Sequence, residues 1–135
     1  MVSDKLKKDL ERIYKKYSKR NGFPRGLCVD ASFEVERKMK KSGVIKRNGY
    51  FLVDRVMPDS AKNNWHYLVE WHSWCEYNGR EIVDLTAHQF NNGLNEPIPT
   101  GLLIIKPDNP LFSRYLPGTN NFREYKRQVQ LNETL

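Results

Sequence analysis

The dipeptide Asn78-Gly79 constrains this chain more than any other feature, because it sits between two segments of strand character. Upstream, WHYLVEWHSW (65–74) alternates in the manner of a strand; downstream, REIVDLT (80–86) is a further strand candidate. Asn-Gly is the strongest two-residue hairpin signal, since both residues tolerate the positive φ of a type I′ turn. An antiparallel hairpin is therefore expected. In the upstream strand His66, Leu68, Glu70 and His72 share one face, and Trp65, Tyr67, Val69 and Trp71 share the other, more apolar face. Two further strands are expected: YFLVDRVM (50–57), after a turn at KRNG (46–49) and closed by Pro58, and GLLIIK (101–106). DSAKNN (59–64) reads as a loop. Five prolines from Pro97 to Pro117 divide the remainder into loops, ahead of a helical tail over about 121–130.

Two helices precede the sheet. Leu6, Leu10, Ile13, Tyr14 and Tyr17 recur at helical spacing, with Ser3 placed to cap the first turn. NGFPRG (21–26) breaks the chain. A second helix then starts near Cys28, with Leu27, Ala31, Val35 and Met39 four residues apart and Gly43 as its stop. Arg37, Lys38, Lys40 and Lys41 load its last turn, where cations suit the helix dipole. The pattern predicts an α+β fold, N-terminal helices packed on an antiparallel sheet, in a single domain over 1–135. Within it we distinguish a basic N-terminal helix (1–20), a core (22–106) and a C-terminal extension (107–135). A chain of 135 residues buries enough apolar surface to need no disulfide or metal staple, and the two cysteines, Cys28 and Cys75, are expected as thiols.

Charge and targeting features narrow the classes. The net charge of +7 is concentrated at the start, where residues 1–20 hold eight Lys/Arg against three acids. An anionic partner at this helix is one expectation and a solvated outer face the other. Aromatics are not interleaved with the basic residues as in a base-stacking platform, and no phosphate-cradling glycine loop occurs. No apolar run approaches a membrane span, and the charged start lacks the apolar middle of a secretory signal. The expected location is cytoplasmic, or export by a route without a Sec-type signal.

Cys28 carries the chemical interest. A helix N-terminus presents unpaired N–H groups and partial positive charge, which favour a thiolate. Cys28 at a helix start, His66 on a strand and Asp84 on the next strand form the set that thiol acyl transfer requires: nucleophile, proton carrier and orienter of the imidazole. A small buried structural thiol is the competing reading of Cys28. By residue type His66, His72, Cys75 and His88 suit zinc, and His72-x-x-Cys75 has usable spacing. No second compact pair completes a site, so no metal and no cofactor are expected.

Gly26-Leu27-Cys28, then His66-Tyr67-Leu68-Val69-Glu70, then Asp84-Leu85-Thr86 resemble the papain-like cysteine enzyme superfamily. The resemblance is to its transglutaminase-like branch, with motifs Gly-x-Cys, His-x-Trp-x-Glu and Asp-x-Thr. It covers roughly residues 22–90; Leu68 stands where the branch often has Trp, and Leu85 where it often has Pro. The resemblance implies a small papain-like/transglutaminase-like core, with Cys28 as nucleophile, His66 as base and acid, Asp84 as orienter and the Cys28 N–H in the oxyanion hole. It implies a cysteine protease or protein glutamine deamidase acting on a protein or peptide, with transglutaminase as the alternative. A catalytically inactive basic module binding protein or nucleic acid is the reading from outside enzymology. Asn21, Trp65 and His88 are candidates for the substrate or oxyanion pocket, and Arg25 for the same loop.

The hairpin and this triad conflict. Closed as a two-residue turn, Asn78-Gly79 sets Tyr77 against Arg80, Cys75 against Ile82 and Asp84 against Ser73. His66 and Asp84 then lie roughly 23 Å apart at strand rise, on opposite faces. Pairing near His66 and Asp84 requires a longer loop across 73–79, or a bulge plus a bend. In the tight register Asn91 comes opposite His66 and is the reserve orienter. Asp84 is preferred because the motif fits it.

Overall fold

The computed structural model describes residues 2–60, 62 and 65–133. Residues 61, 63 and 64 of the expected 59–64 loop lie outside the described residues. Two helices lead the chain, α1 (Asp4–Ser18) and α2 (Cys28–Met39). Five strands follow: β1 (Val44–Leu52), β2 (Val69–Tyr77), β3 (Glu81–Asp84), β4 (Leu103–Ile105) and β5 (Tyr115–Pro117). A third helix, α3 (Gly118–Glu133), closes the chain. The strands form one antiparallel sheet in the order β4-β3-β2-β1-β5, an α+β arrangement with N-terminal helices on one face.

Each face of the sheet carries its own apolar cluster. On one face α1 and α2 bury Leu6, Leu10, Ile13, Tyr17, Ala31, Val35 and Met39 against Val44, Cys75 and Val83 of the strands. The stripe expected on α1 is the stripe that is buried, and the Ser3 hydroxyl accepts from the Leu6 N–H at 3.1 Å as its cap. On the other face Phe51, Trp74, Ile82, Ile105 and Tyr115 meet Phe90, Leu94 and Ile98 from the loops after β3. Among the described residues no helix is long and apolar enough to cross a membrane.

The sheet differs from expectation in β1, in the start of β2 and in one register. Residues 46–49, expected as a turn, run inside β1, and residues 53–57 leave the sheet while Val53 and Met57 stay in the core. Gly49 is what this requires: a Cβ there would lie 2.1 Å from the Leu116 backbone O and 2.9 Å from the Trp74 ring. Only glycine lets β5 and the indole close on β1 at this point. The β2 strand starts at Val69, because Leu68 takes a positive φ of 54° and ends the turn before it.

The third difference is the hairpin register. Asn78 and Gly79 adopt φ of 52° and 70°, as the dipeptide signals, and the Arg80 N–H donates to Tyr77 O at 3.1 Å. Yet Tyr77 pairs with Glu81, Glu76 with Ile82 and Cys75 with Val83. Arg80 and Glu81 thus oppose the single residue Tyr77, a one-residue bulge. That extra residue reverses the facing of every β3 side chain relative to β2.

Candidate active site

The bulge brings Asp84 onto the face of β2 that carries Trp74 and His72, rather than that of Ser73. The Asp84 Oδ2 lies 2.7 Å from His72 Nε2, and both side chains are buried. The pair is diagonal across neighbouring strands, within reach of a ring and a carboxylate. Asp84 also accepts from the Tyr115 hydroxyl at 2.7 Å, the Thr86 N–H at 2.9 Å and the Thr86 hydroxyl at 3.3 Å. Burial raises the Asp84 pKa, but the His72 charge and these donors outweigh it and hold the carboxyl below its usual range.

Regular pairing of β3 with β2 reaches Cys75 opposite Val83, and the first turn of α2 enters beside Ser73. Leu27 at the N-cap has no side-chain oxygen to bond the first-turn amides, so they remain directed at whatever stands before them. Cys28 is the first residue of this helix and is buried, with 7% of its surface exposed. With Nε2 taken by Asp84, His72 has only Nδ1 to offer Cys28; that nitrogen is buried and makes no conventional hydrogen bond. Burial raises the thiol pKa, but the His72 imidazole and the Ser73 backbone N–H reverse this, and the net shift is downward. Burial alone would lower the His72 pKa; the Asp84 carboxylate, with a further contribution from Cys28, carries it up to about 9. Both shifts favour a thiolate beside an imidazolium.

The imidazole is boxed in. Phe90 stands edge-on to it at 4.8 Å between centroids, Trp74 at 5.7 Å and Phe51 at 6.2 Å. These contacts restrict the ring to the orientation that Asp84 selects. A cavity of about 200 Å³ is bounded by Gly26, two residues before Cys28, by Glu70, two residues before His72, and by Phe90 and Gln89; neither Cys28 nor His72 is in its described lining. A larger cavity, about 560 Å³, opens at the hairpin end beside Tyr77, Arg80 and Lys106.

Of the expected triad, Cys28 and Asp84 converge and His66 does not join them. His66 is exposed in the turn before β2, its ring 4.7 Å from that of Tyr67. The strand expected to carry it begins three residues later, and the imidazole delivered to Asp84 is that of His72. The signal was present in the sequence: His72-Ser73-Trp74-Cys75-Glu76 fits His-x-Trp-x-Glu at every position, whereas the segment from His66 lacks the Trp. The reserve orienter Asn91 is engaged elsewhere, bonding Ile98 N at 2.7 Å and Ile98 O at 2.9 Å. Asn21 is exposed in the loop after α1, and Trp65 is exposed in the turn with His66. His88 is half-buried against Phe23, their rings 5.5 Å apart. Arg25 lines the cavity and is paired with Asp59 at 2.5 Å. Tyr115, which no sequence motif marked, reaches Asp84 from the C-terminal segment expected as an extension. Cys75 lies on the helix-covered face and donates to Ser32 O at 3.3 Å; burial pushes its thiol far up, so it is not a second nucleophile. It also points away from His72, so those two do not converge as a ligand pair.

Comparison with protein-family models, with curated proteins and with solved structures returned no match.

Proposed function

We propose that this chain is a thiol-dependent acyl-transfer enzyme in which Cys28 is the nucleophile, His72 the proton carrier and Asp84 the orienter of the imidazole. The observation that carries the reading is the chain of contacts from a thiol at a helix start, through one imidazole, to a buried carboxylate 2.7 Å from the far ring nitrogen. In this reading the Cys28 sulfur attacks an amide carbonyl, and the developing oxyanion is met by the Cys28 N–H at the start of α2. The His72 imidazolium gives its proton to the departing nitrogen, leaving a thioester. Neutral His72 then takes a proton from the incoming water, whose oxygen displaces the sulfur and releases the acid.

The relationship proposed is to the papain-like superfamily and its transglutaminase-like branch. Gly26-Leu27-Cys28, His72-Ser73-Trp74-Cys75-Glu76 and Asp84-Leu85-Thr86 match its motifs, and they fall in the order that the chemistry uses. Hydrolysis is preferred over amine transfer because water is always available. The product then depends on the amide attacked: a cleaved peptide, or a glutamate from a glutamine side chain with release of ammonia.

The test is incubation with candidate proteins, with and without a primary amine, followed by intact mass. Fragments mark proteolysis, a gain of one dalton marks deamidation and an amine adduct marks transfer. Beneath this lies a substrate-independent check. Iodoacetamide at neutral pH should label Cys28 far ahead of Cys75, and His72→Ala should abolish the difference. Equal, slow labelling of both thiols would sink the enzymatic reading and leave a basic binding module.

A further inference from the structure

Resting on that reading of Cys28 and His72, we propose that the cavity between Gly26, Glu70 and Phe90 is a side-chain subsite of the substrate, in which Glu70 selects a lysine-like, positively charged group. The cavity, about 200 Å³, reaches from Gly26 to Phe90, and Phe90 is the ring that stands edge-on to His72. Glu70 projects from the same face of β2 as His72, two residues earlier. The cavity is linked to the site through Gly26, two residues before Cys28, and through Phe90, whose ring packs on His72.

The lining is built for a donor with positive charge. Glu70 Oε1 is buried and has no hydrogen-bond partner among the described residues. Arg25, the only cation among the described lining residues, is already paired with Asp59 at 2.5 Å. No cation in the described lining is therefore left to compensate a charge on Glu70. Burial, together with the nearby Asp59, disfavours its ionised form in spite of a hydrogen bond with Ser60. A carboxylate oxygen left in this state gains most from a ligand that brings both N–H donors and opposite charge, which an ammonium does. Met57 and Phe90 supply apolar wall for the methylene stem that such a group rides on. A substrate carboxylate would meet both Glu70 and Asp59.

The probes are N-acyl chloromethyl ketones of lysine, norleucine and glutamate, each of which alkylates the thiolate with loss of chloride. The rate of Cys28 labelling is read by mass and divided by the iodoacetamide rate in the same protein, so intrinsic thiol reactivity cancels. Lysine should react about tenfold or more faster than norleucine, and glutamate slowest, as expected for a desolvated charge pair. In Glu70→Gln the lysine-to-norleucine ratio should fall to within about twofold of unity. A ratio near one in the unmodified protein overturns the subsite without recourse to any variant. A lysine preference retained in Glu70→Gln overturns the role of Glu70. If iodoacetamide itself fails to distinguish Cys28 from Cys75, the enzymatic reading falls and takes the subsite with it; rapid iodoacetamide labelling with indifferent ketones removes the subsite alone.

Discussion

Asp84 accepts hydrogen bonds from three residues, His72, Tyr115 and Thr86, and each has a separable consequence. The Tyr115 hydroxyl is the donor that can be removed with least disturbance. Tyr115→Phe leaves a buried carboxylate oxygen short of one partner and should cost about 1–3 kcal/mol of stability, measured by denaturant unfolding, while slowing Cys28 alkylation. The contrast between histidines is sharper. His72→Ala should reduce the iodoacetamide rate at Cys28 by about tenfold or more at neutral pH, as the thiol returns toward its ordinary pKa; His66→Ala should leave the rate near that of the parent. The direction of the two pKa shifts sets the pH dependence. Because the Cys28 thiol is lowered, its alkylation should persist below the pH at which a simple thiol fades. Because His72 is raised to about 9, acyl turnover that needs its proton should fall as pH passes about 9, while alkylation does not. At this scale the site was legible in part. Cys28 and Asp84 follow from helix-start chemistry and the Asp-x-Thr motif. His72 was equally legible, since His72-x-Trp74-x-Glu76 is complete, whereas the match from His66 has Leu68 in the Trp position. Tyr115 was not legible, because a hydrogen bond spanning 31 residues leaves no local pattern.

Among the elements, the hairpin and β1 carry the most consequence. Asn78-Gly79 announces the turn, and the turn occurs; Arg80, the residue just after it, decides which face Asp84 occupies. No propensity distinguishes a bulged residue from a paired one here, since the choice is made by the burial of Ile82 and Val83 in opposite cores. Gly49 is the corresponding constraint on β1. A methyl group there meets backbone at Leu116 O and Pro117 Cα, which cannot swing aside as a side chain would. Gly49→Ala should therefore destabilise the protein by about 1–3 kcal/mol or more, and the loss should appear as a lowered melting temperature with weakened attachment of β5. The β5 strand carries Tyr115, so the same substitution should slow Cys28 alkylation without touching Cys28, His72 or Asp84.

Over the whole molecule, α1 is tied to α2 through one buried acid. Glu34 accepts from Lys16 at 2.8 Å, from the Tyr17 hydroxyl at 3.1 Å and from Lys38 at 3.1 Å. Burial raises its pKa, and these donors overcome burial and bring it down to about 2, from 4.5. A carboxyl depressed in the folded state stabilises above its unfolded pKa, and the contribution is lost as pH falls through the folded one. Glu34→Gln should cost about 1–2 kcal/mol at neutral pH, with the difference from the parent shrinking toward pH 2 in acid-unfolding curves. The exposed side of α1 carries Lys5, Lys7, Lys8, Arg12, Lys15 and Lys16. By itself the sequence determined the helices, the existence of the hairpin, the apolar stripe of α1 and the thiol at a helix start, because each depends on neighbours within a few residues; the face of β2 taken as the more apolar was not so determined, since Trp71 is exposed and His72 buried. Tertiary structure alone decided that β2 and β3 meet one residue out of the tight register, that Asp84 therefore lies beside His72, and that a tyrosine from the far end of the chain completes its hydrogen bonds. The facing of a strand is a question of odd or even, and it is settled by which side chains the two cores on either side of the sheet can bury.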